Sequence, residues 1–193
     1  METLETVLTR RSVSRLTEPA PDDGELLTLV EAAMTAPDHG RLLPWRLVTL
    51  RDGERAELGE RFAACAADAP GARERALAKP LRAPLLIAIV FTPVAHRTIP
   101  HWEQLASTAA AVQTLSLLLH DRGYASIWLT GPATGDHGVR DLHRLRHDEQ
   151  LLGWLYTGTA VGTPPPRRLP DPMAHIRTLT QGQALHAKVD ACC

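Results

Sequence analysis

The spacing of apolar residues along the chain alternates between helical and extended patterns, and this predicts its secondary structure. Apolar positions three and four residues apart, with local capping signals, predict helices at residues 2–9, 22–35, 54–67, 100–122 and 138–145. Asp22 suits the N-cap of the second helix, because Glu25 follows three positions later as in a capping box. In the longest helix, the stripe comprises Leu105, Ala109, Val112, Ser116 and Leu119. Gly123 suits the position just after that helix.

Four apolar segments predict strands, at residues 45–50, 84–91, 124–129 and 151–161. The segment 84–91 is apolar throughout, with proline only at its first position. Because such a strand is buried on both faces, we expect it in the centre of the sheet. The order of elements predicts an α+β or mixed α/β fold with about four strands. A dinucleotide-binding doubly wound fold is excluded, since no G-x-G-x-x-G follows a strand.

Two proline-containing segments fit neither pattern. Residues 68–80 are expected to form a lid or an exposed connection with some helix in it. After Gly162 the prolines exclude a helix or a central strand, so residues 162–180 are predicted to form an extended arm that packs on a second subunit. We expect a single domain over residues 1–180 and a disordered tail at 181–193.

Composition and charge argue against several classes of protein. The formal net charge of -1 over 193 residues argues against a general nucleic-acid binder or a protein of anionic membrane surfaces. Three cysteines, two of them adjacent at Cys192 and Cys193, do not make a disulfide framework. The N-terminal residues lack the features of a signal peptide, and the longest apolar run is too short to span a bilayer. We therefore expect a cytoplasmic protein.

Metal-binding and nucleophilic sites find little support. His143 and His147 have i, i+4 spacing, but no third ligand is evident and the flanking residues are charged, so a solvated helix face is the favoured interpretation. Cys65 lies within a predicted helix among alanines and is interpreted as a small apolar filler. We expect no metal site and no covalent catalysis.

A basic cluster, Thr9–Arg15, follows the first helix. It contains three arginines and two serines, a donor set that suits a phosphate. The alternative is a solvated basic turn whose cations interact with the C-terminus of the helix. No Walker-type loop is present, and the only comparable basic pair is Arg167 with Arg168 in the arm. These two groups are candidates to converge on one phosphate, from one subunit or from two.

The segment Trp128–Gly131 is a second candidate ligand site. A strand that ends in Thr-Gly-Pro presents backbone N–H groups at the edge of a sheet, where ligands bind in sheet proteins. The two candidate sites recur together in one family. In consistent order over residues 2–177, the chain resembles FMN-dependent nitroreductases, especially their small single-domain bacterial members. The matching stretches are Arg10–Ser12 with Arg15, Ala36–His39 running to Pro44 and Trp45, Trp102–Gln104, Ile127–Gly131, Gly153–Thr159 and Pro170–Pro172.

The resemblance implies an α+β fold with a central, mostly antiparallel sheet of four to five strands flanked by helices. It also implies a segment-exchanged homodimer with two FMN sites in its interface. Arg10, Arg11 and Ser12 would hold the phosphate and ribityl chain, with Arg168 as a further candidate. His39 and Leu43 would come from the other subunit, and Leu129, Thr130 and Gly131 would approach the isoalloxazine ring. Nicotinamide binding would involve Leu119, His120, Asp121, Arg122, Gly123 and Tyr124.

Two positions depart from the family pattern. Close relatives usually have glutamine in place of Leu43 and arginine in place of Leu129, so hydrogen-bond donors are lost at the edge of the flavin site. Each such loss costs roughly 1–3 kcal/mol when the partner group is buried. The two leucines either weaken FMN binding or admit a more apolar substrate.

Three functional hypotheses follow. The favoured one is a homodimeric FMN enzyme that follows a ping-pong scheme. NAD(P)H would reduce the flavin and leave. A nitroaromatic, quinone or activated enone would then bind in the place of the nucleotide and be reduced. The chemistry would belong to the flavin, so no catalytic side chain is expected. The second is a dehydrogenase or reductase that modifies a specialised metabolite on the same fold. The third is a non-catalytic flavin- or ligand-binding dimer.

Overall fold

An antiparallel sheet, whose strand order differs from the order along the chain, forms the centre of the computed structural model. The structure describes residues 2–163, 167–177 and 179. Within those residues the sheet has five strands: β1 (Leu16–Thr17), β2 (Trp45–Leu50), β3 (Leu85–Phe91), β4 (Ala125–Leu129) and β5 (Gln150–Ala160). The strand order is β1-β5-β3-β2, and β4 also pairs with β5. All of these pairings are antiparallel.

The helices lie on both faces of this sheet. In the described part of the chain they are α1 (Thr3–Thr9), α2 (Asp23–Ala33), α3 (Asp52–Ala64), α4 (Ala72–Ala78), α5 (His101–Asp121) and α6 (His137–Leu142). Short 3₁₀ turns occur at His39–Arg41, Pro80–Arg82, Pro132–Gly135 and Pro172–His175. The chain divides into two units, residues 1–163 and 164–193, and all of the strands and α-helices above belong to the first.

Strand β3 explains why the fold has three layers. Every residue of β3 is buried, and its side chains alternate between two hydrophobic clusters. Leu86, Ala88 and Val90 pack with residues of α3 and α6 on one face. Leu85, Ile87 and Ile89 pack with residues of α2 and α5 on the other. Alternation along a strand therefore places helices on both sides of the sheet, and the predicted α+β class is confirmed.

The predicted elements correspond closely to those observed. The four predicted strands and five predicted helices are present, with ends shifted by up to three residues. The Asp22 carboxylate accepts a hydrogen bond from the Glu25 amide at 2.8 Å, and Gly123 has a φ of 87° after α5. The pattern missed the two-residue strand β1 and located α4 only as some helix within residues 68–80. The tail at 181–193 lies outside the described residues.

The predicted stripe of α5 was only partly correct. Val112, Ser116 and Leu119 are buried, but Leu105 and Ala109 are exposed. The buried face instead continues through Gln104, which donates to the Val94 carbonyl at 2.8 Å and accepts from the Val94 amide at 2.9 Å. These internal bonds offset the cost of burying the amide, so the helix turns a polar residue inward and leaves apolar residues outside.

The predicted solvated face around His143 was also wrong, because this side chain is buried. Its Nδ1 lies 2.7 Å from the Val139 carbonyl, and its Nε2 accepts a hydrogen bond from the Trp154 indole at 3.0 Å. Burial is the main cause that lowers the pKa of His143. Both ring nitrogens of the neutral imidazole are therefore satisfied within the core.

A buried ion pair holds the segment between α6 and β5 against β2. The Arg46 guanidinium donates to both carboxylate oxygens of Glu149, at 3.0 and 2.8 Å, and to the carbonyls of His143 and Arg144. The Glu149 side chain is fully buried and also accepts from the Arg146 amide at 2.9 Å. These bonds, opposed by burial, lower the pKa of Glu149 to about 2.

No helix within residues 2–163, 167–177 and 179 is both long and apolar enough to cross a membrane. Among the same residues, no three His, Cys, Asp or Glu side chains lie close enough together to hold a metal ion.

Glu149→Gln is expected to lower the free energy of unfolding by about 3 kcal/mol at pH 7, because it leaves a partly buried guanidinium without its charge partner. A carboxylate with a lowered pKa stabilises the fold above its unfolded pKa and loses that effect as the pH falls through the folded value. The difference between wild type and variant should therefore shrink as the pH falls from 4.5 towards 2. Urea unfolding at several pH values measures it.

Glu57→Gln is the matched control, since Glu57 forms an exposed pair with Arg61 at 3.5 Å. Its effect should stay below about 0.5 kcal/mol. Equal losses in the two variants, or a Glu149→Gln difference that does not change with pH, would contradict the assignment.

Candidate functional site

The basic segment lies along the edge of β4. Helix α1 ends at Thr9, and Arg10 already has extended dihedral angles (φ -54°, ψ 135°). Ser12 then pairs with Ser126 in a parallel bridge, and the Val13 amide donates to the Ser126 carbonyl at 3.1 Å. Ser126 is three residues before the end of β4, a span of about 10 Å along a strand. One strand thus connects the two ligand sites that were predicted separately.

Arg11 combines the two interpretations of the basic cluster. Its Nη1 donates to the carbonyls of Leu8, Thr9 and Arg10 at 2.6, 3.1 and 3.0 Å, so it caps the C-terminus of α1 as the alternative interpretation proposed. A guanidinium keeps its charge whatever bonds it makes. The cap therefore fixes a positive charge next to Ser12.

His120 lies beside the start of this segment. It is the next-to-last residue of α5, and its Nε2 lies 2.9 Å from the Thr9 hydroxyl. Burial lowers the pKa of His120, the charges of Arg10 and Arg11 lower it further, and Asp121 acts in the opposite direction. The end of α5, the end of α1 and the basic segment therefore form one cationic patch.

The segment predicted to bind nicotinamide contributes to this patch. Leu119 is fully buried in the core, and Tyr124 donates its hydroxyl hydrogen to Glu25 at 2.7 Å, which raises the pKa of Tyr124. His120 faces Thr9, whereas Asp121, Arg122 and Gly123 are exposed at the turn after α5. Leu119, His120 and Tyr124 thus each make internal contacts.

The end of β4 is held tightly against β5. The ladder between these strands ends at the pair Leu129 and Trp154. Gly153 has a φ of 120°, and a Cβ there would lie only 2.3 Å from the Leu129 carbonyl oxygen, so the close approach requires glycine. Thr130 and Gly131 leave the sheet, and Thr134 fixes the turn that follows by donating its amide and hydroxyl hydrogens to the Gly131 carbonyl at 3.1 and 2.9 Å.

The loop before β2 presents His39 and Leu43. The Nδ1 atom of His39 lies 2.7 Å from a carboxylate oxygen of Glu103, while Asp38 accepts from the Leu43 amide at 2.7 Å. Leu43 and Arg41 have left-handed φ values of 45° and 53°, which side chains other than glycine adopt at a cost. The Leu43 side chain is nevertheless exposed, beside a surface cavity of about 400 Å³ that Met34, Pro37 and Arg41 also line.

Helix α5 separates these two groups of residues. Glu103, the partner of His39, lies in its first turn, whereas His120 lies in its last. Seventeen residues of helix span about 25 Å. His39 and Leu43 of one chain therefore lie about that far along the helix from the basic segment of the same chain.

Arg168 is exposed and belongs to the second unit. Asp38, Glu103 and Thr9 lie in stretches that the sequence singled out, but their positioning contacts were not predicted. Asp38 carried a usable signal, because an Asp in a Gly- and Pro-containing loop commonly accepts backbone bonds. The other two contacts join residues more than sixty positions apart, so the local sequence offered none.

The known proteins that are similar to this chain are nitroreductases or nitroreductase-like proteins. A model of the nitroreductase family matches residues 7–159. YdjA of Escherichia coli, provisionally named an NAD(P)H nitroreductase, is 36% identical over 166 residues, which cover 82% of this chain and 88% of YdjA. A nitroreductase-like protein from Bacillus cereus has a similar fold, with a TM-score of 0.80 at 22% identity over 93% of this chain and 96% of that one. The FMN- and NADPH-dependent nitroreductase NfnB from Sphigopyxis sp. strain HMH gives a TM-score of 0.67 at 20% identity, over 88% and 96%.

Proposed function

Because this chain belongs to the nitroreductase family, we propose that it is an FMN-dependent oxidoreductase that uses NAD(P)H to reduce nitroaromatic, quinone or activated-enone acceptors. Family membership makes the chain an oxidoreductase enzyme, which argues against the hypothesis of a non-catalytic flavin-binding dimer. The observation that carries the finer proposal is the position of the basic segment beside β4. The cytoplasmic location stays a prediction.

The residues of the site fit FMN. Two guanidiniums and the Ser12 hydroxyl match a phosphate dianion. Arg10, Arg11 and Ser12 would hold the phosphate and the ribityl chain. The Leu129–Gly131 backbone, fixed by Gly153 and Thr134, would lie against the ring. The expected contribution of Arg168 stays a prediction.

When bound, FMN would supply the reversible hydride chemistry that couples NAD(P)H to an acceptor. The task of the protein is then to bind, orient and tune. A backbone N–H near the ring stabilises negative charge without needing an acid or base of its own. This accounts for a candidate site built from cations, hydroxyls and backbone groups.

We further propose a homodimer with two shared sites. Trp102 and Leu105 on α5, together with Leu4 and Leu8 on α1, are exposed to extents of 69%, 39%, 70% and 46%. A second copy packed on these faces would bury them. Antiparallel packing of two α5 helices would also bring the partner subunit's His39 and the partner subunit's Leu43 towards the basic segment, which their own chain does not do. Packing of the arm on the partner stays a prediction.

Leu43 favours a second candidate function, reduction or oxidation of an apolar specialised metabolite. The loop holds this leucine in a strained conformation and leaves its side chain exposed beside a cavity. An apolar side chain at that place would contact an apolar acceptor better than a polar one. The two candidates share the cofactor and differ in the substrate.

The double variant Arg10→Ala/Arg11→Ala is expected to bind FMN at least about a hundredfold more weakly than wild type, since two charge-assisted contacts contribute about 1.5 kcal/mol or more each. Fluorescence titration of the apoprotein with FMN measures the affinity. Arg73→Ala, which removes an arginine from an exposed ion pair with Glu60 on another face, is the control and should leave the affinity unchanged. An unchanged affinity in the double variant would refute the assignment.

Leu43→Gln is expected to raise the KM for an apolar quinone by about tenfold, because the contact area of a leucine side chain corresponds to roughly 1.5 kcal/mol. The KM for nitrofurazone, a more polar acceptor, should change less. Steady-state kinetics with NADPH measures both, and parallel double-reciprocal lines are expected from the ping-pong scheme. Leu27→Gln, at another exposed leucine, is the control. Rapid reduction of nitrofurazone by wild type, with no effect of Leu43→Gln on either acceptor, would contradict the second candidate function.

A further inference from the structure

The contact between Thr9 and His120 joins the two elements that flank the basic segment. The Thr9 hydroxyl donates its only hydrogen to the Glu5 carbonyl at 2.7 Å. It must therefore accept, not donate, in its 2.9 Å contact with His120 Nε2. The neutral imidazole consequently carries its hydrogen on Nε2, and Nδ1 is the atom that gains a proton when the ring becomes charged. Protonation leaves the contact with Thr9 intact.

The charges around His120 make its proton affinity depend on what occupies the basic segment. From that segment Arg10 and Arg11 disfavour the charged ring, and from its own helix Asp121 favours it. The Thr9 hydroxyl that contacts the ring is neutral. A phosphate dianion bound to the two arginines would offset the charges that now oppose protonation. Binding of the phosphate and protonation of His120 would then favour each other.

We propose that His120 is a further member of the anion site, beside Arg10, Arg11 and Ser12, and that it takes up a proton when a phosphate group binds there. This inference rests on the proposed FMN site and adds to it a residue that the resemblance had placed in nicotinamide binding. Its functional consequence is that the affinity for FMN rises as the pH falls through the range in which His120 titrates in the complex. A tenfold higher proton affinity of the ring in the complex corresponds to about a tenfold gain in FMN affinity at the acidic limit.

Net proton uptake distinguishes this role from a structural one. FMN is titrated into apoprotein at pH 7 by isothermal calorimetry in two buffers that differ in ionisation enthalpy, with wild type and His120→Gln compared. The glutamine amide retains a donor towards Thr9, and proton exchange by the phosphate itself is common to both proteins. Wild type is expected to take up more protons than His120→Gln and to bind FMN up to about tenfold more tightly at pH 6. At pH 9 the two affinities should converge.

Two controls separate the alternatives. Riboflavin lacks the phosphate and should give equal proton uptake in both proteins. Thr9→Val removes the contact but keeps the imidazole, so it should retain the uptake. NMR titration of the His120 ring in wild type, with and without FMN, is an independent measurement, and a rise in its pKa on binding is expected.

Equal proton uptake in wild type and His120→Gln, or a His120 pKa that FMN does not change, would overturn this inference while leaving the FMN site in place. A wild-type protein that does not bind FMN at all would overturn both the inference and the proposed function.

Discussion

Strand β5 is the constraint on which the rest of the structure depends. It pairs with β1, β3 and β4, so three of the other strands take their positions from it. Two glycines make these pairings possible, since a Cβ at Gly153 would meet the Leu129 carbonyl at 2.3 Å and one at Gly158 would meet the Thr17 carbonyl at 2.8 Å. The buried pair of Arg46 and Glu149 then fixes the start of β5 against β2. The sheet is thus positioned by close backbone approach and by one satisfied buried charge.

The candidate site inherits its geometry from that arrangement. Because β5 holds β4, and the Ser126 carbonyl of β4 holds the Val13 amide, the cationic patch has a defined place relative to Leu129. Helix α5, in contrast, keeps two groups of candidate residues of the same chain apart. Its first turn carries Glu103, the partner of His39, and its last turn carries His120, so these two groups of candidate residues lie about 25 Å apart along the helix. In the proposed homodimer, the partner subunit would supply the group of residues that lies too far away in the same chain. The length of α5 is therefore an argument for the dimer.

Sequence reasoning succeeded where the determining contacts are local. Continuous apolar character predicted β3, the spacing of Asp22 and Glu25 predicted the start of α2, and Gly123 marked the end of α5. It failed where a polar side chain is buried by partners that are distant in sequence. His143 was predicted on a solvated helix face and Gln104 was not predicted in the buried stripe of α5, yet each is satisfied inside the core.

The candidate site residues also divide into those that could be predicted from local sequence and those that depend on distant contacts. The residue types of the basic segment pointed to an anion, because guanidinium chemistry does not depend on the fold. The pairing of His39 with Glu103 and the left-handed backbone at Leu43 could not be read from the sequence, since both depend on how the loop lies against α5. The family resemblance supplied candidate positions, and the structure supplied their partners.

The proposed FMN-dependent activity is tested most directly by an anaerobic titration of the purified protein. The protein is loaded with FMN and titrated with NADPH and separately with NADH, and the flavin absorbance is followed. We expect a yellow protein whose colour is bleached by about one equivalent of at least one of the two nucleotides per site and returns when a quinone is added. A protein that stays colourless after incubation with FMN, or one whose bound flavin neither nucleotide reduces, would contradict the proposed activity.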